Sequence, residues 1–172
     1  MLSETKMTTV DPIHLQQAIN AVVSRLNGVD ELYPCQCEVL GALLENDNIF
    51  YTNSTNSGKT LPVVIYPEIL KFLNSLGYKY PVNPKLLFVT ALNSLKLSLV
   101  NSTKALGVDC ESVTSENIGE LLKSDISVLY ISPEVLKVPA VTKILLQHRS
   151  LFVLKVVDEC HLGNYSETKK SN

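Results

Sequence analysis

The chain has no long hydrophobic run, no basic excess and no framed set of cysteines. Each absence removes a class of protein. Apolar stretches such as Leu151–Val157 are short and interrupted by Lys155, well below the ~20 residues needed to span a bilayer. Met1–Val10 is polar and lacks the apolar centre of a secretory leader. The formal net charge of −2 and pI near 5.9 argue against a free-standing, sequence-blind nucleic-acid binder, since such proteins usually carry a basic surplus. Cys35, Cys37, Cys110 and Cys160 are scattered. Cys35-x-Cys37 has no second Cys/His pair at zinc spacing, so reduced thiols in a cytoplasmic or nuclear protein are expected rather than a metal knuckle. Three Asn-x-Ser/Thr matches, at Asn53, Asn101 and Asn164, are read as chance in a chain without a leader. There is no internal repeat and no low-complexity tract.

What is present is an alternation of helices with short apolar strands. The 172 residues, 45% hydrophobic, suffice for one real core. Asp11-Pro12 predicts an N-cap followed by proline at the first helical position, with Ile13, Ile19, Val22, Val23 and Leu26 on one apolar face and Asn27-Gly28 as the stop. A second helix is expected over Gln36–Glu45. A short strand, Asn48–Thr52, leads into a helix from Lys59 towards Leu76, in which Pro67 should cause a kink or break. Strands are expected at Lys85–Thr90, near Val108–Val113, at Ile126–Ser132 and at Leu151–Val157. Helices are expected at Leu92–Leu106, Ser115–Lys123 and Pro133–His148. Continuous apolar strands separated by helices predict an α/β fold, a parallel sheet covered by helices on both faces. Ligands of such sheets bind at the carboxyl ends of the strands.

Two motifs fall at such ends. Ser57-Gly58-Lys59-Thr60 follows an apolar strand and opens a helix, where unsatisfied backbone N–H groups and the helix dipole favour a phosphate chain. Lys59 adds a full charge and Thr60 a hydroxyl suited to Mg²⁺. Much further along, the strand Val156-Val157 ends in Asp158-Glu159-Cys160-His161, the carboxylates that a Mg·ATP site requires. His14 and His148 read as solvated helix residues.

In order, these segments resemble the first RecA-like domain of a superfamily-two DNA helicase, most closely the RecQ type. Leu32-Tyr33-Pro34-Cys35-Gln36 resembles the Q-motif region, Ser54-Thr55-Asn56-Ser57-Gly58-Lys59-Thr60 motif I, and Thr90-Ala91-Leu92-Asn93-Ser94-Leu95 motif Ia. Ser132-Pro133-Glu134-Val135-Leu136 resembles the Ser-Pro-Glu-x-Leu segment, and Asp158-Glu159-Cys160-His161 a DECH form of motif II. The resemblance runs from about Leu32 to His161. It implies a P-loop NTPase domain over 31–165, preceded by a helical segment over 1–30 and followed by a polar tail over 166–172.

It also implies ATP and Mg²⁺ as ligands and DNA as partner, in a 3′–5′ helicase motor. Gln36 would contact the adenine, and Thr55, Asn56, Ser57, Gly58, Lys59 and Thr60 the phosphates. Thr60 and Asp158 would hold Mg²⁺. Glu159 would activate water, His161 would link the nucleotide to the strand-binding surface, and Ser94, Ser132 and Glu134 would face DNA.

Departures are equally visible. Tyr33 stands where the RecQ pattern has arginine, Asn56 replaces a loop glycine, Ala91 a proline, and Ser98-Leu99 an Asp-Gln pair. Leu162-Gly163-Asn164-Tyr165 takes the place of the aromatic-rich segment after motif II, in a chain with no tryptophan. Motif III and the second RecA-like domain with its arginine finger do not follow. The chain alone is therefore expected to bind ATP and turn it over hardly at all. The alternative is a non-catalytic nucleotide- or DNA-binding module. A kinase or GTPase ranks last, because no guanine-reading Asn-Lys-x-Asp follows.

Overall fold

The computed structural model describes residues 9–45, 49, 58–90 and 93–158, with only the backbone of 93 and 94. Helix α1 (Pro12–Val23) opens on an Asp11 cap, whose Oδ1 accepts from the Ile13 amide at 2.7 Å. Its buried stripe is Leu15, Ala18, Ile19, Val22 and Val23, the i, i+3, i+4, i+7 spacing of a helix face. Ile13 lies off that stripe and is 67% exposed, against the expectation that it belonged to the apolar face. Leu26 lies beyond the helix end. Helix α2 covers Pro34–Glu45.

Helix α3 runs unbroken from Thr60 to Ser75 through Pro67. The expected break does not occur. Val64, Ile65, Ile69, Leu70 and Leu73 on the same helix are all at most 1% exposed, and their burial outweighs the single backbone bond that the proline removes. Strand β1 (Lys85–Val89) follows, then α4 (Asn93–Ala105), β2 (Cys110–Ser112), the one-turn α5 (Ile118–Leu121) and β3 (Val128–Ile131). The single helix expected over Pro133–His148 is two, α6 (Pro133–Leu136) and α7 (Pro139–Gln147). Pro139 is the cause. The residue before a proline is pushed out of helical geometry, and Val138 is extended at φ −68°, ψ 118°. A 3₁₀ turn, Arg149–Leu151, then feeds β4 (Phe152–Val157).

The four strands form one sheet in the order β2-β3-β1-β4, every pair parallel. Side chains alternate between its faces. Leu86, Phe88, Val128 and Tyr130 pack with α1, α2, α3 and Val100 of α4 in one apolar cluster. Leu87, Leu129, Ile131 and Phe152 pack with α5 and α7 in another. The sheet is thus covered by helices on both faces, as the strand composition implied. No described helix is long and apolar enough to cross a membrane. The expected strand Asn48–Thr52, apart from Ile49, lies outside the described residues, as does the tail over 166–172.

Candidate nucleotide site at the carboxyl edge of the sheet

The direction of α3 decides where its N-terminus lies. On its later turns, Lys71 Nζ donates to Glu68 Oε1 and to Ser127 Oγ, both at 2.8 Å, and Ser127 Oγ donates to Glu68 Oε1 at 2.5 Å. Ser127 immediately precedes β3, so these contacts fasten the later half of α3 to the amino edge of the sheet. Thr60 lies eight residues before Glu68, about 12 Å of helix, the length of a short strand, which carries Lys59 and Thr60 back towards the carboxyl edge, the end where Asp158 closes β4.

The start of α3 is shaped by Gly58. Its φ is +68°, a left-handed conformation that costs little only for glycine. Its carbonyl accepts from the Leu61 amide at 3.1 Å and from Gln36 Nε2 at 3.1 Å. Gln36 is 1% exposed, and its Oε1 accepts from the Tyr33 amide at 2.9 Å. One side chain therefore ties the entry of α2 to the entry of α3. A Cβ at position 58 would lie 2.7 Å from Gln36 Nε2, so a larger residue, besides its strained φ, would require the Gln36 amide to shift. Lys59 is exposed and Thr60 half-buried at the first helical position. Tyr33, whose amide Gln36 holds, is 64% exposed.

At the strand ends, Val89 pairs with Ile131 and with Val157. The ladder continues one step, with the Thr90 amide donating to Ile131 O and the Asp158 amide to Val89 O, each at 3.1 Å. Thr90, Ser132 and Asp158 thus form the next row. The pleat puts that row on the face of Phe88 and Tyr130, the face that α3 covers. Thr90 is fully buried, Ser132 is 3% exposed and Asp158 is half-buried. The Tyr130 phenol is pushed up to about 12, mainly by burial, with the Asp158 charge adding and its hydrogen bond to Thr103 opposing.

The row is polar, but its members are not alike. The Glu134 carboxylate lies below the usual carboxylate range because of its own backbone N–H first and the nearby Ser132 hydroxyl second. Lys137 and Lys96 add a smaller pull in the same direction. Thr90 Oγ1, by contrast, is buried with no hydrogen-bond partner among the described residues.

The structure therefore brings Gln36, Gly58, Lys59, Thr60, Ser132, Glu134 and Asp158 to one end of the sheet. Thr55, Asn56, Ser57, Glu159 and His161 lie outside the described residues, as does the side chain of Ser94. Among the described residues no three His, Cys, Asp or Glu side chains gather to hold a metal by themselves. Two concavities do not include Lys59, Thr60 or Asp158. One, of about 380 Å³, is bounded by Lys104, Asp109 and Glu111 at the amino edge; the other, of about 410 Å³, is bounded by α1, Asp30, Glu31 and Pro34. Neither gathers the residue types that a phosphate chain needs.

Some residues carried no signal in the sequence. Lys85 is fully buried, and its ammonium donates to Ser124 O at 2.7 Å, Ile126 O at 2.8 Å and Asn83 Oδ1 at 3.4 Å. His14, expected to be solvated, packs edge-on against Tyr78, with Nδ1 3.0 Å from the phenol oxygen. His148 is exposed, as expected.

The fold and this site define an α/β protein with an all-parallel sheet, an architecture compatible with a RecA-like or P-loop domain. No family model matches the chain, and no curated protein matches it.

Proposed function

We propose that the chain is the ATP-binding RecA-like domain of a RecQ-like DNA helicase. The observation that carries this reading is the convergence at one sheet edge of the glycine-opened N-terminus of α3, with Lys59 and Thr60, and the β4 terminus at Asp158. The two segments are far apart in sequence and are joined there only by the parallel topology. Anions are favoured at such a helix start by its free N–H groups and dipole. Lys59 is exposed and free to reach a phosphate chain. Thr60 and Asp158 offer one neutral and one anionic oxygen, ligands that suit Mg²⁺ when nucleotide oxygens complete its shell. The metal, when bound, supplies charge neutralisation at the phosphates. Gln36 holds the carbonyl of Gly58 and the amide of Tyr33. Glu159, next to Asp158 in sequence, is assigned the attacking water, and His161 the link to the DNA side.

DNA would meet the same sheet edge through Ser94 and the Ser132–Glu134 turn, making weak backbone contacts that are lost at moderate salt. The test is thermal. Millimolar Mg·ATP should raise the melting temperature by mass action on the native state. Lys59→Ala should abolish that rise while leaving the unliganded melting temperature unchanged, because an exposed lysine packs little. A wild-type protein with no Mg·ATP-dependent rise would sink the proposal. A rise without measurable hydrolysis, with or without DNA, would favour the non-catalytic binding module over the motor.

A further inference from the structure

The hydroxyl of Thr90 is buried at the carboxyl end of β1 without a hydrogen-bond partner among the described residues. The Thr90 amide is bonded to Ile131 O at 3.1 Å. Buried polar groups are nearly always paired. An orphan at a sheet edge is therefore a group awaiting a partner from the ligand-bound arrangement. One neighbour in the row is Asp158, on the adjacent strand and the same face. Strands pair about 4.8 Å apart, which puts a threonine hydroxyl and an aspartate carboxylate within reach through a rotamer change of either side chain.

We infer that Thr90 is a positioning residue for Asp158. When Mg·nucleotide binds, the Thr90 hydroxyl donates to one carboxylate oxygen of Asp158, fixing the carboxylate so that its other oxygen faces the metal. The inference rests on the nucleotide reading above. Partners that orient a ligating carboxylate typically change metal affinity by about 10–100-fold when removed.

Thr90→Val keeps the shape and deletes the hydroxyl; Thr90→Ser keeps the hydroxyl. The unliganded melting temperature and the affinity for ATP, in Mg²⁺ and in EDTA, are measured for wild type, both variants, Asp158→Asn and the Thr90→Val/Asp158→Asn pair. Thr90→Val should melt no lower than wild type, since it removes an unpaired buried hydroxyl, yet bind Mg·ATP about tenfold or more weakly. Its affinity in EDTA should be unchanged. Thr90→Ser should bind Mg·ATP as wild type does, and Thr90→Val should have no further effect once Asp158 is asparagine. Wild-type Mg·ATP affinity in Thr90→Val overturns the inference and leaves the nucleotide reading standing. So does an equal loss in EDTA, or a further loss in the Asp158→Asn background. Absence of Mg·ATP binding by the wild type overturns both.

Discussion

Replacing Gly58 with alanine tests the site at its tightest point. The substitution imposes two separable penalties. A left-handed φ of +68° costs an L-residue about 1–2 kcal/mol. The new Cβ would also sit 2.7 Å from Gln36 Nε2, closer than packed atoms tolerate, so the buried Gln36 side chain must withdraw. It then loses its bonds to Gly58 O and the Tyr33 amide, each worth about 0.5–1.5 kcal/mol net. The sum is about 2–5 kcal/mol. For a chain of this size each kcal/mol lowers the melting temperature by about 2–4 °C, so a fall on the order of 10 °C is expected. The discriminating measurement is a double-mutant cycle by denaturant unfolding. In a Gln36→Ala background the steric partner and both bonds are already gone, and Gly58→Ala should cost only the backbone term, about 1–2 kcal/mol. Equal losses in the two backgrounds, within the ~0.5 kcal/mol of ordinary additivity, would show that Gln36 does not buttress the start of α3.

Three further outcomes are expected. Burial, with the Lys71 charge, lowers the Lys85 ammonium from 10.5 to about 8, Asp125 opposing. The unfolded chain therefore binds the extra proton between those values, and stability should rise with pH across that window. Tyr130 acts in the opposite sense: its phenol holds a proton to about 12, whereas the unfolded phenol loses it near 10, so stability should fall above pH 10. Because the buried Cys110 thiol, raised from 9.0 to about 11, lowers stability above pH 9, denaturation midpoints from pH 7 to 9 should show the rise in wild type and none in Lys85→Met; an unchanged slope in the variant would refute the assignment. Tyr130 OH and Thr103 Oγ1 are buried 2.7 Å apart, so Tyr130→Phe, which orphans the threonine hydroxyl, should cost about 1–3 kcal/mol. Adding Thr103→Val should recover much of that loss in chemical denaturation, and a purely additive double variant would argue against the pair.

Much of the fold was legible because its signals are local. The apolar strands around Leu86-Leu87-Phe88 and Val128-Leu129-Tyr130 read as buried parallel strands, since a parallel sheet covered on both faces needs no polar alternation. The Asp11 cap was legible for the same reason, because capping is settled within one turn. The helix over Pro133–His148 was misjudged although its proline was in view: Pro139 acts locally, but its effect falls on the preceding Val138 and divides the helix there. At Pro67 the expected alternative of a break does not occur. Whether a helix survives an interior proline depends on what its flanks bury, and Val64, Ile65 and Ile69 bury against residues distant in sequence.

The sequence by itself determined the element types, the strand character of the core and the candidate phosphate and metal residues Lys59, Thr60 and Asp158, because composition, periodicity and short motifs act over a few residues. The tertiary structure alone decided that Lys71 and Glu68 clasp Ser127, which orients α3 along the sheet. It also decided that Gln36 closes on Gly58, and that Thr90 ends its strand beside Asp158 with a hydroxyl still to be satisfied. Those facts depend on strand order, register and pleat, and they emerge only when segments tens of residues apart are brought within a hydrogen bond of one another.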